Sequence, residues 1–304
     1  MHLKNKRILF LTLLFCLVLT ACGGSDVSSD TPAGDNAKGY KASFHDATFH
    51  EDKAEGSGDV KVDLSATSDG YFGVLASSDK RLKLQVFNGD DTFTYDIPQG
   101  KPAIYPFQCG DGEYTIKVME NVEDNKYYEL YTTRASVSLD NSKAPYVRPN
   151  IYANYTKSSN CVSEAAKLAA NASNESEFVD SVYQYICRKV SYDYDEAATV
   201  SSGYIPDPDE VMKTGKGICF DYASLAASML RSQGIPTKII FGYVAPDNLY
   251  HAWNMFYTDE KGWTTVEFSV NPGDWTRIDL TFSSNGANDK FIGDGSNYQD
   301  VYQF

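Results

Sequence analysis

The hydrophobic period of this chain changes once, and the change divides it in two. From about Gly39 to Leu139, apolar and polar residues alternate in short runs that end in turn clusters. Leu82-Lys83-Leu84-Gln85-Val86-Phe87 precedes Asn88-Gly89-Asp90-Asp91, and Glu113-Tyr114-Thr115-Ile116-Lys117-Val118 follows Gly110-Asp111-Gly112. Alternation with a turn roughly every 8–12 residues describes antiparallel strands buried on one face, and predicts an all-β, sandwich-like domain over residues 39–145. From Asn160 the spacing becomes helical. Val162, Ala165, Ala166 and Ala169 share one face, and Phe178, Val182, Tyr185 and Ile186 share another behind a capping-box-like Asn174 and Glu177. Asp207-Pro208-Asp209-Glu210 reads as an N-cap, a proline at the first helical position and an acidic first turn, closed by Gly215. Helices mixed with strands over residues 155–304 make the fold class α+β.

The first residues read as an address. Lys4, Lys6 and Arg7 precede an apolar run from Ile8 to Leu19, too short for the ~20 residues that span a bilayer. Leu19-Thr20-Ala21-Cys22 resembles the lipobox of bacterial lipoproteins. The resemblance implies a signal peptide over 1–21, lipidation of Cys22, and a protein anchored on the extracytoplasmic face of a bacterial cell membrane. Residues 22–38 carry almost no apolar side chains and are expected to form a disordered tether. Loss of the signal leaves 24 basic against 41 acidic residues, a net −17, which argues against nucleic acid and against adsorption to anionic lipid. Membrane contact is therefore expected through the lipid alone, with a monomer as the working unit. Apart from Cys16 and Cys22, four cysteines remain: Cys109, Cys161, Cys187 and Cys219. No spacing suits zinc, and a disulfide among the first three stays open.

The segment that carries chemistry is Gly215-Lys216-Gly217-Ile218-Cys219-Phe220-Asp221-Tyr222-Ala223, running on to Arg231-Ser232-Gln233-Gly234-Ile235-Pro236. A glycine-rich turn delivers Cys219 to the start of a helix whose buried face is Ala223, Ala226, Ala227 and Leu230, with Gly234 placed to cap its far end. The positive end of a helix favours the thiolate, the nucleophilic form of cysteine. A base is also needed, and His251 in Tyr250-His251-Ala252-Trp253-Asn254 stands beyond one intervening strand, Gly234 to Tyr243. His45 and His50 are isolated and read as solvated. Tyr192-Asp193-Tyr194-Asp195-Glu196 and the stretch Asn288–Asn297 match no defensible calcium pattern.

These ordered strings resemble the transglutaminase-like superfamily, which includes transglutaminases, peptidases and amidases on a papain-like fold; the likeness covers roughly residues 160–304. It implies a papain-like core of helices on an antiparallel sheet, no cofactor, and a peptide or protein substrate. It also implies a Cys-His-Asp triad, with Asp279 in Trp275-Thr276-Arg277-Ile278-Asp279-Leu280-Thr281-Phe282 as the carboxylate that orients His251. Trp263-Thr264-Thr265-Val266-Glu267 occupies a nearer slot with glutamate, so Glu267 is the alternative third residue. The reaction implied is acyl transfer through a Cys219 thioester, resolved by water or by an amine. The competing reading is a catalytically silent, surface-tethered binding protein for wall peptide or a protein ligand.

Overall fold

The computed structural model describes residues 39–244, 249–259, 262–265 and 298–304. Eight strands come first: β1 (Glu55–Ser57), β2 (Val60–Asp63), β3 (Tyr71–Ala76), β4 (Leu82–Asn88), β5 (Asp91–Asp96), β6 (Ala103–Pro106), β7 (Gly112–Glu123) and β8 (Lys126–Val137). They form two antiparallel sheets, ordered β1-β2-β3-β6 and β5-β4-β7-β8. The pleat sends alternate side chains to opposite faces. Leu84 lies across from Val118 and Val86 across from Ile116, and all four are buried. β4 and β5 meet through a two-residue loop in which Gly89 takes a φ of 57°, a conformation that favours glycine.

The second half contributes α1 (Asn160–Ala170), α2 (Glu175–Lys189), β9 (Ser191–Tyr192), α3 (Tyr194–Thr199), α4 (Pro208–Thr214), β10 (Lys216–Gly217) and α5 (Cys219–Arg231). Strands β11 (Thr237–Val244), β12 (Leu249–Thr258), β13 (Gly262–Thr265) and β14 (Tyr298–Gln303) follow, in a sheet ordered β13-β12-β11-β14 with every pair antiparallel. This is the α+β arrangement of helices on an antiparallel sheet. Among the described residues no helix is long and apolar enough to cross a membrane.

The helix signals act locally. Asn174 Oδ1 accepts the Glu177 N–H at 2.9 Å, while the Glu177 carboxylate reaches back to the Ser173 N–H at 2.7 Å, one residue earlier than a regular capping box. Asp207 Oδ1 accepts the N–H groups of Asp209 and Glu210, and Gly215 ends α4 in the left-handed region at φ 66°. The buried stripes differ slightly from the predicted ones. Cys161 takes the place of Ala166 on α1, whose methyl is exposed, and Val179 and Tyr183 join the α2 stripe while Tyr185 is half-buried. Small or amphipathic side chains exert the weakest pull on helix rotation, so packing partners decide them.

Helix α5 is the axis of this half. Every residue from Asp221 to Arg231 is buried. Tyr222, Leu225, Ala226, Met229 and Leu230 pack into the cluster built by α1 and α2, whereas Ala223 and Ala227 face the sheet with Ile239 and Ala252. Those latter residues, with Ile151, Ala153 and Phe304, share one cluster with the sandwich core, and the described residues belong to a single compact unit. Residues ahead of the first strand also tie into the helical half. The Tyr40 ring stacks on Phe178 at 5.1 Å, the Tyr40 N–H donates to Ala172 O, and the Ser43 N–H donates to Gln233 O. Gly234, at φ 96°, is pressed against Ser43: a Cβ there would lie 2.3 Å from the serine hydroxyl. It closes α5 as expected, its N–H donating to Arg231 O at 3.0 Å and the Ile235 N–H to Leu230 O at 3.1 Å, and it also leaves room for that segment.

Candidate active site

The site is built from the turn that enters α5. Strand β10 runs parallel to β9, with the Ser191 N–H donating to Gly215 O and the Asp193 N–H to Gly217 O, both at 3.0 Å. Gly217 is obligatory for space, since a Cβ would meet the Asp221 Cβ at 2.6 Å. Ile218 is extended (ψ 177°), and Cys219 is the first helical residue. Asp221 holds the turn closed: Oδ2 accepts the Ile218 N–H at 2.8 Å and Oδ1 accepts the Tyr204 hydroxyl at 2.7 Å. Asp221 is 1% exposed, and burial pushes its carboxyl up to about 6 against the pull of those two hydrogen bonds. The sequence string that contains Asp221 does not by itself mark its role. An acidic residue three positions after the N-cap was the available signal.

Cys219 carries a free, half-buried thiol packed against the shared core. The phenols of Tyr192 and Tyr250 stand near enough for its charge to act on them. Burial raises both, Tyr192 to about 12, and the sulfur adds to the effect. None of the four described cysteines is in a disulfide. Burial and Asp91 push the Cys109 thiol up to about 11, and burial and Asp209 raise Cys161 further, so neither offers a thiolate near neutrality.

His251 lies on β12, across from Gly242, and is 3% exposed, with its ring 6.3 Å from that of Trp253. Ala252 packs among the alanines of α5, a contact that its small side chain allows. Asn254 Nδ2 then donates to Ala223 O at 3.0 Å and to Lys238 O at 3.3 Å. A hydrogen bond therefore joins the Cys219 helix, one turn past the thiol, to the His251 strand, three residues past the imidazole. In the sequence Asn254 stands out only as the end of the histidine motif. Asp279, Glu267 and Cys22 lie outside the described residues. Trp263, which opens the nearer tryptophan motif, sits on β13, its ring 5.3 Å from Tyr146 and 5.7 Å from Tyr257.

The remaining candidates have structural partners. His50 Nδ1 is 3.3 Å from Asp63, and His45 Nε2 is 3.2 Å from the Ser43 hydroxyl. In the acidic turn, Asp193 caps α3 by accepting from Asp195 and Glu196 N–H. Among the described residues no group of three or more His, Cys, Asp and Glu side chains is placed to hold a metal ion.

A mixed fold whose central helix begins with a cysteine and packs on a histidine-bearing strand defines a cysteine-centred α+β class. Comparison with known proteins points to one family: residues 162–268 match the core model of the transglutaminase-like superfamily. The UPF0252 protein MJ1282 of Methanocaldococcus jannaschii is 31% identical over 62 residues, which are 19% of this chain and 18% of that protein. The chain thus aligns with less than a fifth of that curated relative. Among solved structures, a candidate cysteine protease from Cytophaga hutchinsonii superposes with a TM-score of 0.40 at 15% identity, covering 77% of this chain and 83% of that one. Legionella pneumophila LapG gives 0.29 at 20% identity over 47% of this chain and 83% of its own. Red sea bream transglutaminase gives 0.28 at 13% over 64% and 47%.

Proposed function

We propose that this protein is a cysteine acyl-transfer enzyme acting on a peptide or carboxamide bond, with Cys219 as nucleophile, His251 as proton shuttle and Asp279 as the carboxylate orienting the imidazole. The observation that carries the reading is the half-buried Cys219 at the first position of α5, on a helix bonded directly to the His251 strand. In the reaction, Cys219 Sγ forms a bond to the carbonyl carbon and its proton passes to His251. The tetrahedral intermediate expels the amine, which leaves with that proton, and a thioester remains. The first N–H groups of a helix have no intrahelical acceptor, so the Cys219 N–H is free to stabilise the oxyanion. Water or an amine then attacks the thioester, returning the thiol proton and releasing an acid or a new amide.

Iodoacetamide alkylation across pH tests this in the parent, Cys219→Ala, His251→Ala and Asp279→Ala proteins. Fast modification of Cys219 well below pH 8, slowed in both the His251 and Asp279 variants, is the expected result. An ordinary Cys219 titration in the parent, His251→Ala and Asp279→Ala proteins leaves the silent binding protein as the reading. Among the described residues burial suppresses the Cys109 and Cys161 thiols, and the Cys219→Ala protein accounts for the labelling of every other cysteine, Cys187 included.

The placement proposed for the enzyme is the outer face of a bacterial membrane, held by lipid on Cys22. Its support is the Leu19-Thr20-Ala21-Cys22 string after a short apolar run. Labelled palmitate should enter the full-length protein in cells and fail to enter Cys22→Ala; equal incorporation in both would remove the anchor.

A further inference from the structure

Between the β5 edge of the sandwich and the open end of the second sheet lies a groove of about 260 Å³. Lys83 and Thr94 line it from β4 and β5, and Tyr152, Phe220, Phe241 and Tyr250 line it from the other half. Its size is below the ~300–1,000 Å³ of pockets that enclose whole small molecules, and suits a residue or two of an extended chain. The groove also adjoins the nucleophile. Phe220 is the next residue after Cys219, and Tyr250, on the same aromatic wall, lies within electrostatic reach of the Cys219 sulfur.

The aromatic wall is interlocked. The Phe220 ring sits 4.8 Å from Phe241 and 5.1 Å from Tyr152, both edge-on, a geometry that holds a recess open rather than letting it collapse. At the rim Tyr250 is 50% exposed and Tyr302 43%, and large exposed aromatics in one patch mark a contact surface. The sandwich wall differs in chemistry. Lys83 faces the groove with no carboxylate partner among the described residues, and its ammonium rests 5.7 Å over the Tyr127 ring. The carboxylate directly across from it, Asp96, is already taken by Arg81 at 2.5 Å. Arg81 also donates to the Ser202 hydroxyl at 3.2 Å, fixing the sandwich edge against the second half. An exposed cation–π contact is worth only ~0.5–1 kcal/mol, so a carboxylate can displace the ring as partner.

We propose that this groove binds the peptide segment next to the reacting carbonyl, taking an apolar side chain against Phe220, Phe241 and Tyr250 and an acidic side chain against Lys83. The sandwich is then half of the substrate site rather than a spacer. The proposal rests on Cys219 being the nucleophile for its catalytic meaning, but the binding is measurable without catalysis.

The test uses the full chain with Cys219→Ala and fluorescein-labelled acetyl-Phe-Gln-Glu, acetyl-Phe-Gln-Gln, acetyl-Phe-Gln-Lys and acetyl-Gly-Gln-Glu amides, read by anisotropy. The acidic aromatic peptide should bind tightest. Adding Lys83→Glu should weaken it by about three- to five-fold, leave the neutral peptide unchanged and improve the lysine peptide. Tyr250→Ala should weaken all three Phe peptides together. Absence of binding by every peptide, or affinities indifferent to the charge at position 83, would overturn the proposal. Such an outcome is separate from failure of the alkylation test: charge-swapped binding with an inert thiol retains the groove and loses the enzyme, and the converse retains the enzyme alone.

Discussion

The two ends of α5 each bury an ionisable side chain, and they solve the problem differently. At the N-terminal end Asp221 is held by one amide and one phenol; at the C-terminal end Arg231, 0% exposed, is held by three carbonyls. Its Nε donates to Thr237 O at 2.7 Å, and its two terminal nitrogens donate to Arg148 O at 3.2 Å and Phe304 O at 3.1 Å. Both signs suit the helix dipole. Burial brings Arg231 down to about 10, which still leaves it charged at every physiological pH, whereas burial brings Asp221 up to about 6, inside the working range. One end of the helix is a constant anchor, joining β11, the segment ahead of α1 and Phe304 just past β14. The other, beside Cys219, changes charge with pH.

Substitutions can break this contrast. Arg231→Met should have the largest effect, because three buried carbonyls lose charged donors at once; a loss of about 3–5 kcal/mol in unfolding free energy is expected. Arg231→Lys should recover little of it, since one ammonium cannot reproduce the planar fork. Urea melts would settle the matter, and a loss under 1 kcal/mol would show that the carbonyls find other partners.

Asp221→Asn should have the smaller effect, and one confined to pH dependence. In the parent, the folded state holds the Asp221 proton more tightly than the unfolded chain. The stability this contributes is complete below about 3.8 and is lost as pH rises through about 6, a span worth roughly 2–3 kcal/mol. Asparagine does not titrate, so the fall in stability between pH 4 and 6 should shrink by that amount in the variant. Equal slopes in the two proteins would mean that Asp221 is ionised throughout, with the phenol and amide outweighing burial.

Legibility in the sequence followed the range of the interaction. The caps at Asn174 and Asp207, the close of α4 at Gly215 and the start of α5 at Cys219 depend on residues within about four positions of each other, and each is written in local order. The alternation of β4 and β7 is equally local. Arg231 gave no such signal, because its partners at positions 148, 237 and 304 are scattered along the chain. Tyr204 was invisible as a partner of Asp221 for the same reason, with helix α4 and a glycine turn between them. Ser43 lies far from Gly234 in sequence, so the glycine's role as helix stop is legible locally while its close approach to Ser43 is not.

By itself, then, the sequence determined the element types, the helix entrances and the chemical identity of a cysteine at a helix start with a histidine on a later strand. Period and capping are short-range properties of consecutive residues, so no fold is needed to read them. Only the tertiary structure decided that α5 is buried from Asp221 to Arg231, that Asn254 binds its strand to that helix, and that Lys83 of the sandwich stands opposite Tyr250 across a groove. These are encounters between residues tens to hundreds of positions apart, which gain definite partners only when the chain closes on a common core.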